Sequence, residues 1–138
     1  MKKFVLDCEG STPLLMHNPQ LVDPNNEITR QIKALTSKRK KTDEDLHQIE
    51  RLEWYGGLYL DGGKIVQPAS KVRKCLIETA RTNKMGKFVE RALSFAELHV
   101  PLIYDGPKDI DKLFLDSRFH SRLSVVIGNK RIMRVRPQ

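Results

Sequence analysis

The period of the apolar positions changes along the chain, and each change marks an expected element. Phe4-Val5-Leu6-Asp7-Cys8 is rich in strand formers and is followed by Gly10, which predicts a first β-strand. Pro13-Leu14-Leu15-Met16-His17-Asn18-Pro19 is apolar and bracketed by prolines, which disfavour helix at the residue before them, so a buried loop or short strand is expected. From Glu27, the positions Ile28, Ile32 and Leu35 recur at the spacing of one helix face. Asn25 or Asn26 supplies the cap, and the helix ends near Ser37. Thr42-Asp43-Glu44-Asp45 has the form of a capping box with acids at the positive end of the dipole. It opens a second helix whose expected buried stripe is Leu46, Ile49, Leu52 and Tyr55, stopped by Gly56-Gly57.

Leu58-Tyr59-Leu60 and Lys64-Ile65-Val66 flank Asp61-Gly62-Gly63, a hairpin signal. Pro68-Ala69-Ser70 leads into a third helix with Ser70 as the expected N-cap. Its apolar face is Val72, Cys75, Leu76, Thr79 and Ala80, and Lys71, Lys74, Arg81 and Lys84 lie opposite. A short helix from Phe88 to Leu93 is expected next, then an edge strand from Leu98 to Tyr104 that tolerates Pro101, and a turn at Asp105-Gly106-Pro107. Leu123 to Ile127 and Arg131 to Val135 flank Gly128-Asn129 as a second hairpin. The pattern as a whole predicts an α+β chain.

Composition narrows the picture. With 138 residues, 39% apolar and 30% charged, the chain has the make-up of one folded domain rather than a disordered segment. Cys8 and Cys75 fit no metal-ligand spacing and read as small buried thiols of a reducing, cytoplasmic compartment. No apolar run reaches about eighteen residues, so no membrane partner is expected.

Charge changes the picture more. The net charge of +8 is unevenly placed: residues 1–36 are neutral, residues 38–41 carry +4, residues 42–69 carry −4, residues 70–95 carry +5, residues 96–116 carry −3 and residues 117–138 carry +6. Three basic blocks result, and each has two readings. Lys38, Arg39, Lys40 and Lys41 form either a phosphate-contacting loop or a solvated linker at a helix C-terminus. The face of the third helix that carries Lys71, Lys74, Arg81 and Lys84 is either a phosphate-contacting surface or an ordinary charged one. Lys130, Arg131, Arg134 and Arg136 suit phosphate, Arg134 and Arg136 sharing a strand face, but also serve to protect an edge strand from aggregation. Trp54, Tyr59 and Phe119 are candidates for base stacking or for the core, and their spacing favours the core.

Catalytic signals are weak. His17, His47, His99 and His120 are scattered, and no zinc-protease, nucleophile-elbow or P-loop pattern occurs. Asp43, Glu44 and Asp45 are better explained by a helix N-terminus than by a metal, and Asp23 is an isolated loop acid. The reading is therefore a binding protein without catalytic residues, metal or cofactor.

Two segments resemble a known family. The run from Leu58-Tyr59-Leu60 through Pro68-Ala69-Ser70-Lys71-Val72-Arg73-Lys74-Cys75-Leu76 is similar to the strand, turn and helix of RAMP-superfamily RNA-binding proteins, which include backbone subunits of CRISPR effector complexes. Thr12-Pro13-Leu14-Leu15 is similar to the segment that follows their first strand. The two cover a minor part of the chain, and Ala69, Lys74 and Ile77 replace two customary glycines and an arginine. The resemblance implies a ferredoxin-like, RAMP/RRM-like antiparallel sheet in a single domain over residues 1–138, with a helical insertion at about residues 26–56. It also implies that Ser70, Lys71, Arg73 and Lys74, at the turn and first helical turn, approach the RNA backbone, where a helix N-terminus also favours anions. The end at Gln138 without the family's glycine-rich loop leads us to expect a sheet that is either incomplete or closed differently. Thr36-Ser37-Lys38-Arg39-Lys40-Lys41-Thr42-Asp43 and Arg134-Val135-Arg136-Pro137 also resemble an uncharacterised group of phage proteins.

Two function classes follow as expectations. The first is binding of RNA or single-stranded DNA by its backbone, as a homo-oligomer or within a larger protein complex, in the cytoplasm, which is the host's if the chain is viral. The alternative is a phage anti-defence protein that binds a host complex by mimicking a CRISPR subunit. A metal-dependent nuclease built on Asp23 or the Asp43 cluster is a third and weaker idea.

Overall fold

A computed structural model describes residues 2–138, and they contain α-helices, short 3₁₀ turns and antiparallel strand pairs, a mixed α+β fold. The strands fall into two separate sheets. The chain divides into two units, one running up to Gly57 and resuming over Phe114–Gln138, the other Leu58–Leu113.

In the first unit, α1 spans Glu27–Thr36 and α2 spans Asp43–Gly57. Asn26 caps α1, its side-chain oxygen accepting from Ile28 N–H at 2.9 Å, as expected from the sequence. The capping box of α2 is reciprocal: Asp45 N–H donates to Thr42 Oγ1 at 3.2 Å and Thr42 N–H to Asp45 Oδ2 at 3.1 Å. The last two elements are β4 (His120–Ile127) and β5 (Lys130–Pro137), registered from His120↔Pro137 to Ile127↔Lys130. Gly128 opens their two-residue turn at φ 60°, a conformation glycine takes without steric cost.

The centre of this unit is Trp54, fully buried on α2. Its indole N–H donates to the Phe119 carbonyl at 2.8 Å. Its ring meets Phe114 edge-on at 5.3 Å and stacks on His120 at 5.5 Å, and His120 Nε2 donates in turn to the Phe114 carbonyl at 2.6 Å. Helix α2 does not stop before its glycines but runs through them, because both are buried. A Cβ on Gly57 would stand 2.7 Å from Pro137 Cδ, so only glycine lets α2 approach the end of β5 this closely. Of the expected stripe on α2, Ile49 is buried, Leu52 and Tyr55 are half-buried and Leu46 is exposed, and Glu53 and Trp54 are buried beside them.

Phe4-Val5-Leu6 does not form the expected strand. These residues are 67%, 89% and 56% exposed and carry no regular structure. Strand-forming residues need a neighbouring ladder and a face to bury, and this segment has neither. Regular contact begins at buried Met16, whose N–H donates to the Pro137 carbonyl at 2.9 Å.

The second unit holds β1 (Leu60–Asp61), β2 (Lys64–Pro68), α3 (Ala69–Thr82), α4 (Gly86–Ala92) and β3 (His99–Pro101). Its sheet has the order β1-β2-β3, antiparallel throughout. Gly62 and Gly63 both adopt positive φ, the signature of the tight hairpin expected here. The expected strand from Leu98 to Tyr104 is reduced to β3, which lies at the sheet edge and ends at Pro101. Ile65, Val66, Ala69 and Ile77 are buried apolar residues of these elements, and Leu58 and Tyr59, just before β1, are buried too. A fifth helix, α5 (Ile110–Leu115), contains the boundary between the units.

Helix α3 is rotated from its expected orientation. Ala69 and Ile77 are its buried residues, Val72, Leu76 and Ala80 are half-buried, and Cys75 and Thr79 are exposed. Cys8 is exposed too, so neither cysteine is the buried thiol expected. Ser70 is not the N-cap either. The helix starts two residues earlier, with Pro68 in the cap position and no side-chain cap.

The Trp54 contacts give a stability prediction. Trp54→Phe keeps a ring in the stack and removes one of two hydrogen bonds to the Phe119 carbonyl, which retains the Gln138 N–H, at a cost of about 0.5–1.5 kcal/mol. Trp54→Ala should cost about 3–5 kcal/mol. Urea titration followed by far-ultraviolet circular dichroism measures both, and equal losses would show that the ring contributes nothing beyond the hydrogen bond.

Candidate nucleic-acid interface

The first basic block lies between α1 and α2, and its four side chains are not equivalent. Lys38 Nζ sits 2.6 Å from Asp45 Oδ1, and Lys41 Nζ donates to the Lys38 carbonyl at 3.0 Å. Arg39 and Lys40 are exposed and meet no carboxylate among the described residues. The Lys38 hydrogen bond, helped by the Thr42 N–H, holds the Asp45 carboxyl below its ordinary 3.8. Among the described residues, no group of three or more His, Cys, Asp or Glu side chains is placed to hold a metal ion.

The second block starts α3. Ser70, Lys71 and Lys74 are exposed, and the first turn has no side-chain cap, its Ala69 N–H donating to the Leu98 carbonyl at 2.9 Å. Lys71 Nζ lies over the Tyr59 ring at 4.2 Å. Arg73 points elsewhere. Its Nε donates to the Leu93 carbonyl at 3.2 Å and its guanidinium also donates to the Glu90 carbonyl, so it caps the C-terminal end of α4. That contact draws the Arg73 stem inward and accounts for the rotation of α3.

The third block is split along β5. Lys130 and Arg131 at the turn are exposed and meet no carboxylate among the described residues. Arg131 faces its cross-strand partner Val126, and Met133 lies two residues on, on the same face of the ribbon. Val126 and Met133 are 64% and 62% exposed, so the tip presents cationic and apolar groups together. Arg134 and Arg136, nearer the strand end, are half-buried. Arg134 pairs with buried Glu53, and Arg136 donates to His17 Nδ1. Burial lowers the pKa of both guanidinium groups, and the neighbouring charge of Arg136 adds to the effect on Arg134.

A cavity of about 260 Å³ opens in this unit, lined by His17, Thr29, Glu53, Arg134 and Arg136 and by the apolar side chains of Leu21, Val22 and Ile32. Sequence reasoning missed Glu53 and His17. The signal for Glu53 is its spacing of four residues from Ile49 and from Gly57, which places it on the buried side of α2. Arg122 is likewise engaged, its guanidinium 2.9 Å from Glu50 Oε2. The stacking candidates are accounted for by packing: Trp54 and Tyr59 are buried and Phe119 is half-buried.

The fold and these surfaces define an α+β chain whose exposed cations sit on a β-ribbon tip, a helix start and a loop. No family model, no curated protein and no solved structure matches it. Among the described residues, no helix is long and apolar enough to cross a membrane.

The Asp45 ion pair predicts a pH dependence. Its folded carboxyl titrates below the unfolded value, so the stabilisation is complete above that value and is lost as pH falls through the folded one. Thermal midpoints of the wild type and Asp45→Asn should differ by a constant amount above about pH 5 and converge by about pH 2. A difference that persists in acid would assign the effect to the cap hydrogen bonds instead.

Proposed function

We propose that this chain binds single-stranded RNA or DNA through the phosphate backbone and acts by binding rather than by catalysis. The observation that carries the reading is the β4–β5 ribbon. Residues 117–138 hold six basic residues and no acid, and the tip exposes Lys130 and Arg131 beside Val126 and Met133. Cations without carboxylate partners attract phosphates and release counterions, while apolar side chains beside them offer contact to sugars and bases without reading sequence. Arg39 and Lys40, and Lys71 and Lys74 on the uncapped start of α3, supply further exposed charge. The last pair lies in the helix that directly follows β2, within the stretch that resembles RAMP-superfamily proteins. A ferredoxin-like, RAMP relationship is part of the proposal.

A second reading, attachment to a partner protein as in the anti-defence alternative, is favoured by one observation. Phe4, Val5 and Leu6 are exposed together, an apolar surface suited to a protein partner.

Salt separates the two. Affinity for a labelled single-stranded oligonucleotide should fall with salt at a slope of about −0.7 per phosphate neutralised. Lys130→Gln with Arg131→Gln should flatten that slope and leave the circular dichroism spectrum unchanged. No binding at low salt, together with a stoichiometric partner that survives nuclease treatment, would reverse the order of the two readings.

A further inference from the structure

The cavity at the end of β5 has a different chemistry from the ribbon tip. Two arginines enter it and only one carboxylate, Glu53, is there to balance them, through Arg134. Arg136 meets no carboxylate among the described residues and is nonetheless half-buried. An unbalanced guanidinium in a partly dry cavity is costly, and an anion would remove that cost. The Arg136 contact also fixes its neighbour. A guanidinium only donates, so His17 Nδ1 is an acceptor and its ring proton is on Nε2. The Thr29 hydroxyl donates to the Gln20 carbonyl at 3.1 Å, so toward the cavity it offers only acceptor capacity.

We propose that this cavity binds a small phosphate monoester, the phosphate on Arg136 and its organic body against Leu21, Val22 and Ile32. The donors come from separate places, Arg134 and Arg136 from β5 and His17 from the segment before the 3₁₀ turn Pro19–Val22. A planar carboxylate is satisfied by one arginine fork, whereas donors from several directions match the three terminal oxygens of a phosphate monoester. Apolar walls suit a sugar or base and leave inorganic phosphate without its second set of contacts. The site is independent of the backbone-binding proposal, because phosphates within a strand are diesters and the tip cations lie elsewhere on the ribbon.

Isothermal titration of the full chain with adenosine 5′-monophosphate, adenosine and inorganic phosphate tests this. The monophosphate should bind, adenosine should not, and inorganic phosphate should bind more weakly than the monophosphate. Arg136→Gln should weaken monophosphate binding by about tenfold or more, the loss of a charged hydrogen bond, and Arg136→Lys should restore part of it. His17→Gln gives a second reading of the same cavity should Arg136→Gln fold poorly, and Lys130→Gln should leave monophosphate binding unchanged. A preference for a 5′-phosphorylated pentanucleotide over its 5′-hydroxyl form, abolished by Arg136→Gln, would assign the ligand to strand ends. Monophosphate binding without that preference would assign it to free nucleotides. Equal affinity for adenosine and its monophosphate, or monophosphate affinity unchanged in both Arg136→Gln and His17→Gln, would overturn the proposal whatever the result with unphosphorylated strands.

Discussion

The hydrogen bond from the Trp54 indole to the Phe119 carbonyl sets the geometry of the first unit. It joins the middle of the chain to the residue before β4, 65 positions later, and the rings of Phe114 and His120 close around the same indole. A buried indole N–H without a partner is costly, so α2 takes the rotation that brings its one tryptophan to that carbonyl. Glu53, next to Trp54, is carried inward with it. Arg134 then has to face α2, because a buried carboxylate needs a cation. The cavity chemistry thus follows from an aromatic contact.

Acids decide which of the basic side chains remain available. Asp45 engages Lys38, Asp116 engages Arg118, Glu50 engages Arg122 and Glu53 engages Arg134. The exposed pairs among these are worth little to stability, unlike the buried Glu53–Arg134 pair. Their consequence is that they neutralise cations near the helices and leave others unbalanced, among them Arg39, Lys40, Lys130 and Arg131. Net charge alone does not reveal this sorting, since it counts an engaged lysine and an unengaged one alike.

The sequence made the local signals legible and the tertiary ones obscure. Asn26, Thr42 with Asp45, Gly62 with Gly63, and Gly128 each act within a few residues, and each cap or turn formed where the pattern put it. The α3 face was misjudged because Arg73 binds carbonyls some twenty residues away, and no local pattern encodes that reach. Phe4-Val5-Leu6 shows the same limit from the other side. Strand propensity is a capacity for pairing, and a segment without a partner keeps the composition of a strand without its structure. Within the candidate site, the exposed cations of each block were legible by composition. The opposite surroundings of Arg131 and Arg136 were not, because they depend on what packs against each end of one strand.

That difference along β5 bears on what each end can bind. A solvated arginine or lysine at the tip keeps its hydration until a phosphate arrives, and it can exchange one phosphate for the next at little cost, which suits a long, mobile polyanion. Arg136 is half-buried and has already lost part of its water to the protein, which lowers its pKa. An anion there meets less competition from solvent and is held by fixed donors, which favours one small ligand in one orientation over a sliding chain. The two ends of one strand are therefore suited to different anions, although the sequence writes arginine at both.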